Sequence, residues 1–317
     1  MKRVAFLGNG KADLVEAEDL AGEPAAHEVE GRTLVSLVSA GAERAVLEAA
    51  QGVVHPGYAS VIAVERVGAD VKELKAGDVV FIAGPHAERA RCAASRAVVV
   101  PRGLPPERAA LARFVAIGMS TLTTTTARPP EHVVVTGLGI VGLAAALAFQ
   151  RCGHQVTGVE PDDHRRRLAV QSGLSRTEAS LPRELAGRVA LALECSGRED
   201  VAVEACGLLR QRGELVLVGV PWKKTGEASA HALLHAVFHR YAVVRSGWEW
   251  EVPVEAQAFR AGSIVENLRA AMRWMAEGSV RPTPGVTELS SPREAGAVYE
   301  RLRTGLPSCL APGFDWR

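Results

Sequence analysis

The sequence predicts an α/β protein in which a doubly wound parallel sheet is joined to a β-rich region. Three observations predict it. From Glu131 onward, apolar strand-like runs alternate with helical stretches, as in a parallel sheet with crossover helices. Before Glu131, short β-branched runs are separated by regular turn signals, which suits a small barrel or sandwich. Where the second region begins, a strand runs into a glycine-rich turn and then an apolar helix.

In the first region, strands are expected at 4–7, 32–38, 60–67, 79–82 and 97–100, the last stopped by Pro101. Turns fall at Gly68-Ala69-Asp70 and Lys75-Ala76-Gly77-Asp78. Thr123 to Pro130 marks the junction. In the second region, strands are expected at 132–136, 155–159, 189–193, 214–218 and 241–246, with helices at 141–151, 162–172 and 199–211. Two more helices are expected at 265–275, ending before Gly278, and at 292–302.

The apolar run 133–149 approaches a membrane-spanning length. Its β-branched residues Val133, Val134, Val135, Thr136 and Ile140, with three spaced glycines, divide it into strand, turn and helix, so no membrane span is expected. Composition is that of a soluble globular protein, with 47% hydrophobic and 23% charged residues. A net charge of +1 argues against nucleic acid or an anionic membrane as the main partner. The five cysteines are scattered, with no C-x-x-C pair, and no signal peptide is evident. Both features point to a reducing, cytoplasmic setting.

The strand Val133-Val134-Val135-Thr136 leads into Gly137-Leu138-Gly139-Ile140-Val141-Gly142, which matches G-x-G-x-x-G. Gly137 permits the tight turn, Gly139 lets backbone approach a pyrophosphate, and Gly142 lets helix pack on strand. Ile140 and Val141 open the helix, whose free N–H groups favour phosphate. The next strand ends in Glu160, 18 residues after Gly142. A carboxylate there accepts bonds from the adenosine ribose hydroxyls and repels a 2′-phosphate, favouring NAD over NADP. Arg165, Arg166 and Arg167 weigh slightly the other way.

With these parts in order, the sequence resembles the medium-chain dehydrogenase/reductase family. Gly68 to Val80 matches its "vG-x-x-V-x-x-lk-x-GD-x-V" signature. Glu194-Cys195-Ser196-Gly197 resembles its third-strand ending, and Gly213 to Pro221 its "G-x-x-v-x-v-G-x-p" strand. The resemblance implies a β-rich GroES-like catalytic domain, 1–127 with 252–317, and a Rossmann domain, 128–251, with the substrate between them. It also implies a homodimer formed through the last Rossmann strand, and a small-molecule substrate.

The positions matching the family's catalytic zinc ligands are Ala40, Tyr58 and Ile117. Alanine and isoleucine have no lone pair to donate, and tyrosine is a poor zinc ligand. The structural-zinc cysteines are also missing, so no metal is expected. Ser39 to Arg44 resembles a subgroup with "S-x-G-T-E" there, which includes bacteriochlorophyllide dehydrogenase-like proteins. By the residue-wise match, Val218, Gly219 and Val220 line the nicotinamide, Ser246 sits by its carboxamide, Arg165 reaches the adenosine ribose, and Ser196 also binds the cofactor.

Without zinc, a side chain must handle the hydroxyl proton. Tyr58 is the first candidate, beside the reading as a plain wall tyrosine. Glu43 is second, beside a structural role. Thr121 matches a threonine that packs on the nicotinamide and orients it. His231, His235 and His239 fall on one helical face, a metal pair or a solvated face. Trp248, Trp250 and Phe259 read as pocket lining or buried packing. The function implied is zinc-independent, NAD-dependent interconversion of a secondary alcohol and a ketone. The alternatives are an enoyl or quinone double-bond reductase, a redox-neutral enzyme with retained NAD, and a non-catalytic nucleotide-binding protein.

Overall fold

The computed structural model describes residues 1–305 and 308–317. Two compact units divide the chain. The first holds Met1–Arg113, Leu268–Glu277 and Gly285–Arg317; the second holds Phe114–Asn267 and Gly278–Pro284.

The first unit begins with an antiparallel hairpin, β1 (Lys2–Gly8) and β2 (Lys11–Glu16), turned at Asn9-Gly10 with positive φ at both residues. Then follow β3 (Glu28–Leu37), α1 (Ala40–Ala49), β4 (Ser60–Val67), β5 (Val79–Ile82), β6 (Arg89–Ala93) and β7 (Val98–Val99). Helix α2 (Pro106–Thr124) runs on from there. The expected strands at 4–7, 60–67 and 79–82 lie within or on these elements. Two helices were missed in the part read as β-rich. The first, α1, fills the segment matched to a metal-ligand motif. The second, α2, is apolar on nearly every side and carries no amphipathic period for a sequence reading to detect.

In the second unit come β8 (His132–Thr136), α3 (Ile140–Arg151), β9 (Gln155–Val159), α4 (Asp163–Gln171), β10 (Thr177–Glu178), β11 (Val189–Glu194), α5 (Glu199–Leu208), β12 (Leu209–Leu217), α6 (Ala230–Arg240) and β13 (Val243–Ser246). The six strands are all parallel, in the order β10-β9-β8-β11-β12-β13. That is the doubly wound order, in which ligands bind at the carboxyl ends where the winding reverses, here between β8 and β11. The expected helix 199–211 stops at Leu208, because Leu209 already pairs with Val189 and Arg212 turns the chain at φ +61°. β8 and β11 are buried on both faces, around a core of Val134, Val159, Val189, Ala192 and Leu215.

The first unit is completed by α7 (Ile264–Ala276, of which Leu268 onward belongs here), β14 (Thr287–Ser290), α8 (Ala295–Thr304) and β15 (Ala311–Asp315). The seven-stranded sheet runs β14-β15-β3-β4-β5-β7, with β6 also paired to β3. Val4, Phe6, Val38, Leu47, Tyr299 and Phe314 form one core cluster, so the two ends of the chain share a core. No helix among the described residues is long and apolar enough to cross a membrane.

Candidate functional site

The carboxyl edge of the parallel sheet gathers most of the residues singled out for a dinucleotide. Gly137 holds φ at +79°, a left-handed conformation that a side chain strains, and a Cβ there would press on the backbone of Ser196. At Gly142 a Cβ would lie 1.9 Å from the Gly137 carbonyl oxygen, so only glycine lets α3 begin this close to the turn. Gly139 is the N-cap of α3, and nothing lies within 4 Å of where its Cβ would be. The three glycines thus do different things. Two close the turn, and the third keeps open the space in front of a helix N-terminus.

Glu160 follows β9 and is buried. Its Oε2 accepts the Leu138 backbone N–H at 2.9 Å, and its Oε1 accepts that of Asp162 at 3.1 Å. The carboxylate therefore lies directly against the glycine turn. Arg165 Nη1 stands 3.7 Å away, and Arg166 donates instead to the Glu160 and Pro161 carbonyls. Asp162 caps α4 by accepting the Arg165 N–H, which holds its carboxyl below the usual value despite some burial.

A second buried carboxylate, Glu194 at the end of β11, organises the next loop. It accepts the backbone N–H and hydroxyl of Ser196, and the N–H of Gly197 at 2.8 Å. Its own carbonyl accepts the N–H groups of Val218 and Gly219 at 2.8 and 2.7 Å. Gly197, at φ +73°, and Gly219 pack so closely that a Cβ on Gly219 would sit 2.4 Å from Gly197 N. Ser196, Val218, Gly219 and Val220 are thereby drawn into one wall beside Gly137. Ser246 stands opposite Leu217 in the register, at the same edge. The sequence reading passed over Glu194 as a functional position; a charge ending a run of buried apolar residues was its signal. Thr121, on α2, is fully buried, and its hydroxyl has no hydrogen-bond partner among the described residues. One turn earlier, Gly118 packs α2 against α3 at Ala145.

The remaining candidates lie in the first unit. Glu43 is buried on α1 with both carboxylate oxygens engaged. Oε1 accepts the Ser39 N–H at 2.9 Å, and Oε2 faces the Tyr299 hydroxyl and His86 Nε2. Because His86 Nε2 must donate to that carboxylate, its Nδ1 accepts from the Ser36 hydroxyl, whose oxygen accepts Trp316 Nε1–H at 2.9 Å. Burial and the neighbouring Glu43 push the Tyr299 phenol well above its ordinary value. This arrangement favours the structural role for Glu43 over proton transfer.

Tyr58 is half-buried just before β4, and Ala40 opens α1 just after β3. Ser36 pairs with Ser60, and Leu37 N–H donates to the Ala59 carbonyl, so both positions leave the same end of the β3–β4 pair. The Arg113 guanidinium stacks on the Tyr58 ring, 4.8 Å from its centroid. Arg113 is buried, and the sequence reading missed it. Its signal was a single charge in an apolar helical run, Ala109 to Gly118. Among the described residues, no group of three or more His, Cys, Asp or Glu side chains is arranged to hold a metal ion.

His231, His235 and His239 line the exposed face of α6, with successive ring centroids 6.1 and 4.2 Å apart. Trp248 and Trp250 are more than half exposed and Phe259 fully so, which corrects the reading of these rings as buried packing.

No family model matches the chain. An alcohol dehydrogenase of Geobacillus stearothermophilus is 23% identical over 325 residues, covering 87% of this chain and 89% of that protein. The galactitol-1-phosphate dehydrogenase of Escherichia coli superposes with a TM-score of 0.82 at 18% identity, covering 99% of this chain and 100% of that one. The acetophenone reductase of Geotrichum candidum, solved in complex with NAD, superposes with a TM-score of 0.79 at 13% identity, over 99% and 96% of the two chains.

The chain has the alcohol dehydrogenase fold.

A second alcohol dehydrogenase of Geobacillus stearothermophilus is 25% identical over 294 residues, covering 79% of this chain and 80% of that protein. In an alcohol dehydrogenase fold the glycine turn, Glu160 and the wall 196–220 fall on one edge of the parallel sheet, as the doubly wound order requires.

Proposed function

We propose that the chain is an NAD-dependent oxidoreductase that interconverts a secondary alcohol and a ketone without zinc. The observation that carries this reading is the glycine turn, open at Gly139 and backed by the Glu160 carboxylate. The residues present fit a dinucleotide. The open N-terminus of α3 would take the pyrophosphate, and Glu160 the adenosine ribose hydroxyls, where its charge opposes a 2′-phosphate. The 196–197 and 218–220 wall would flank the nicotinamide, and the orphaned Thr121 hydroxyl offers a donor to orient it. When bound, the nicotinamide supplies the hydride chemistry. The chain's own residues position the substrate and exchange the hydroxyl proton. Tyr58 is the candidate donor, since its phenol gives a proton to a carbonyl oxygen or takes one back from an alcohol.

Zinc independence rests on side-chain chemistry: Ala40 and Ile117 offer no lone pair where the family's zinc enzymes place ligands. The test is NAD reduction over a panel of secondary alcohols, with a strong chelator and with added zinc. Turnover indifferent to both supports the reading. Turnover abolished by chelation and restored by zinc contradicts it.

A further inference from the structure

We propose that Trp248 and Trp250, with Trp222 from the neighbouring strand, form an aromatic platform that selects substrates carrying an uncharged planar ring system. This rests on the oxidoreductase reading just given and names the substrate class for it.

The Trp248-Glu249-Trp250-Glu251 stretch follows β13 and is folded inside out. Trp248 and Trp250 are 64% and 60% exposed, whereas Glu249, which opens the 3₁₀ turn Glu249–Glu251, is 7% exposed. Glu251 is also engaged by the chain, accepting Arg245 Nη1–H at 2.7 Å and the Thr124 hydroxyl at 3.4 Å. Folding ordinarily covers indoles and leaves carboxylates in water. A stretch that does the opposite presents apolar surface for something else to cover.

Where this surface lies decides what covers it. Leu217, the last residue of β12, pairs with Ser246, the last of β13. The Gly247 N–H donates to the Leu217 carbonyl at 2.8 Å, and a Cβ on Gly247 would lie 2.7 Å from the side chains of Val216 and Val218. The two segments therefore leave the sheet in close contact. One continues through the exposed Val220 to Trp222, which is 55% exposed; the other reaches Trp248 and Trp250. The rings follow the carboxyl ends of two adjacent strands, continuous with the 218–220 wall that the cofactor reading places along the nicotinamide. Doubly wound sheets bind their ligands at that edge. A second copy lying along the free edge of β13 does not account for Val220 and Trp222, which come from the strand inside it.

An indole face is flat, apolar and electron-rich, and offset stacking on another flat ring adds to what covering its area gives. A saturated ring of the same size covers the area and cannot stack. Lys224, two residues past Trp222, is paired with Glu227, and Glu251 with Arg245, so these charges are matched within the chain. The substrate class that fits is a secondary alcohol or ketone on an uncharged aromatic skeleton.

The experiment is calorimetric titration of the full chain with 2-acetylnaphthalene and with its saturated counterpart 2-acetyldecalin, with and without NADH. The wild type is expected to bind the aromatic ketone roughly fivefold or more tightly. Trp248→Leu and Trp250→Leu, which keep apolar bulk at exposed positions, are each expected to lower that preference. The triple variant that adds Trp222→Leu is expected to reduce it to about twofold or less. Equal binding of the two ketones by the wild type overturns the proposal, as does binding of neither. So does an undiminished preference in the triple variant. A wild-type dimer that the triple variant breaks, with no ring preference in the wild type, assigns the tryptophans to a second copy and overturns it too. NADH-induced stabilisation is read in the same proteins. Its absence from a wild type that still prefers the aromatic ketone overturns the oxidoreductase reading and leaves the tryptophans standing as a ring-binding surface.

Discussion

At the scale of single residues, two glycines three positions apart are expected to separate folding from binding. A methyl group on Gly142 collides with the Gly137 carbonyl, so Gly142→Ala is expected to lower stability by about 1–3 kcal/mol, the usual range for overpacking. A methyl group on Gly139 meets nothing within 4 Å. Gly139→Ala is therefore expected to melt within a degree or two of the wild type and yet bind NADH at least tenfold more weakly. Thermal denaturation and NADH fluorescence titration read the two effects; full NADH affinity in Gly139→Ala contradicts the assignment of that space to the cofactor. Glu43 makes the opposite case. Glu43→Ala leaves the Ser39 N–H, His86 Nε2–H and Tyr299 O–H without their acceptor, at about 1–3 kcal/mol per buried orphan. A loss of about 3 kcal/mol or more in urea denaturation is expected, and a loss under about 1 kcal/mol contradicts the network.

At the scale of elements, β3 shows how register makes a charge cluster. Glu30 is buried in β3, directly opposite Arg66 on β4 and Arg91 on β6, and bonds both, with Arg89 at 3.1 Å. Burial alone raises its pKa, but the Arg66 and Arg91 hydrogen bonds outweigh it and hold the carboxyl below 4.5. The sign follows from the depressed folded value. The cluster's contribution is fully present above the unfolded value near 4.5 and is lost as pH falls through the lower folded value. Glu30→Gln is expected to be about 2–4 kcal/mol less stable at pH 7, with the gap narrowing as pH falls below the unfolded value near 4.5. A gap that stays constant down to pH 2 contradicts this.

The elements also show what the sequence made legible. Four of the six parallel strands, β8, β9, β11 and β12, announced themselves as apolar runs, and G-x-G-x-x-G with Glu160 announced the turn; the two-residue β10 was too short to read, and β13 is exposed. Local signals of this kind need no tertiary context. Helix α2 gave no amphipathic period because it is surrounded by protein, and its threonines looked like a linker. In the fold, Thr123 and Thr124 bond back to the carbonyls of Met119 and Ser120, while Thr125 and Thr126 hold the buried Glu214 carboxylate of β12. Arg113, Glu194 and Glu214 owe their places to contacts with distant segments, which spacing along one chain does not reveal.

At the scale of the molecule, β13 is the outer strand of the parallel sheet, with one edge unpaired among the described residues. Leu234 and Phe238 on α6, Tyr241 just after it and Val243 at the start of β13 are exposed. We propose that this strand edge and these exposed apolar residues pair with a second copy of the chain, the partner that the family resemblance implies. Phe238→Asp combined with Val243→Lys is expected to convert a dimer to a monomer in sedimentation velocity; a wild type that sediments as a monomer contradicts the expectation.

The central proposal is that NAD binds at the glycine turn and that Glu160 sets the choice of nucleotide. Ligand-induced thermal stabilisation tests it most directly, since a ligand that binds only the folded chain raises the melting temperature by mass action. The expected result is a clear shift with NADH, a smaller one or none with NADPH, and none with zinc. A larger shift with NADPH, or no shift with either nucleotide, would contradict it.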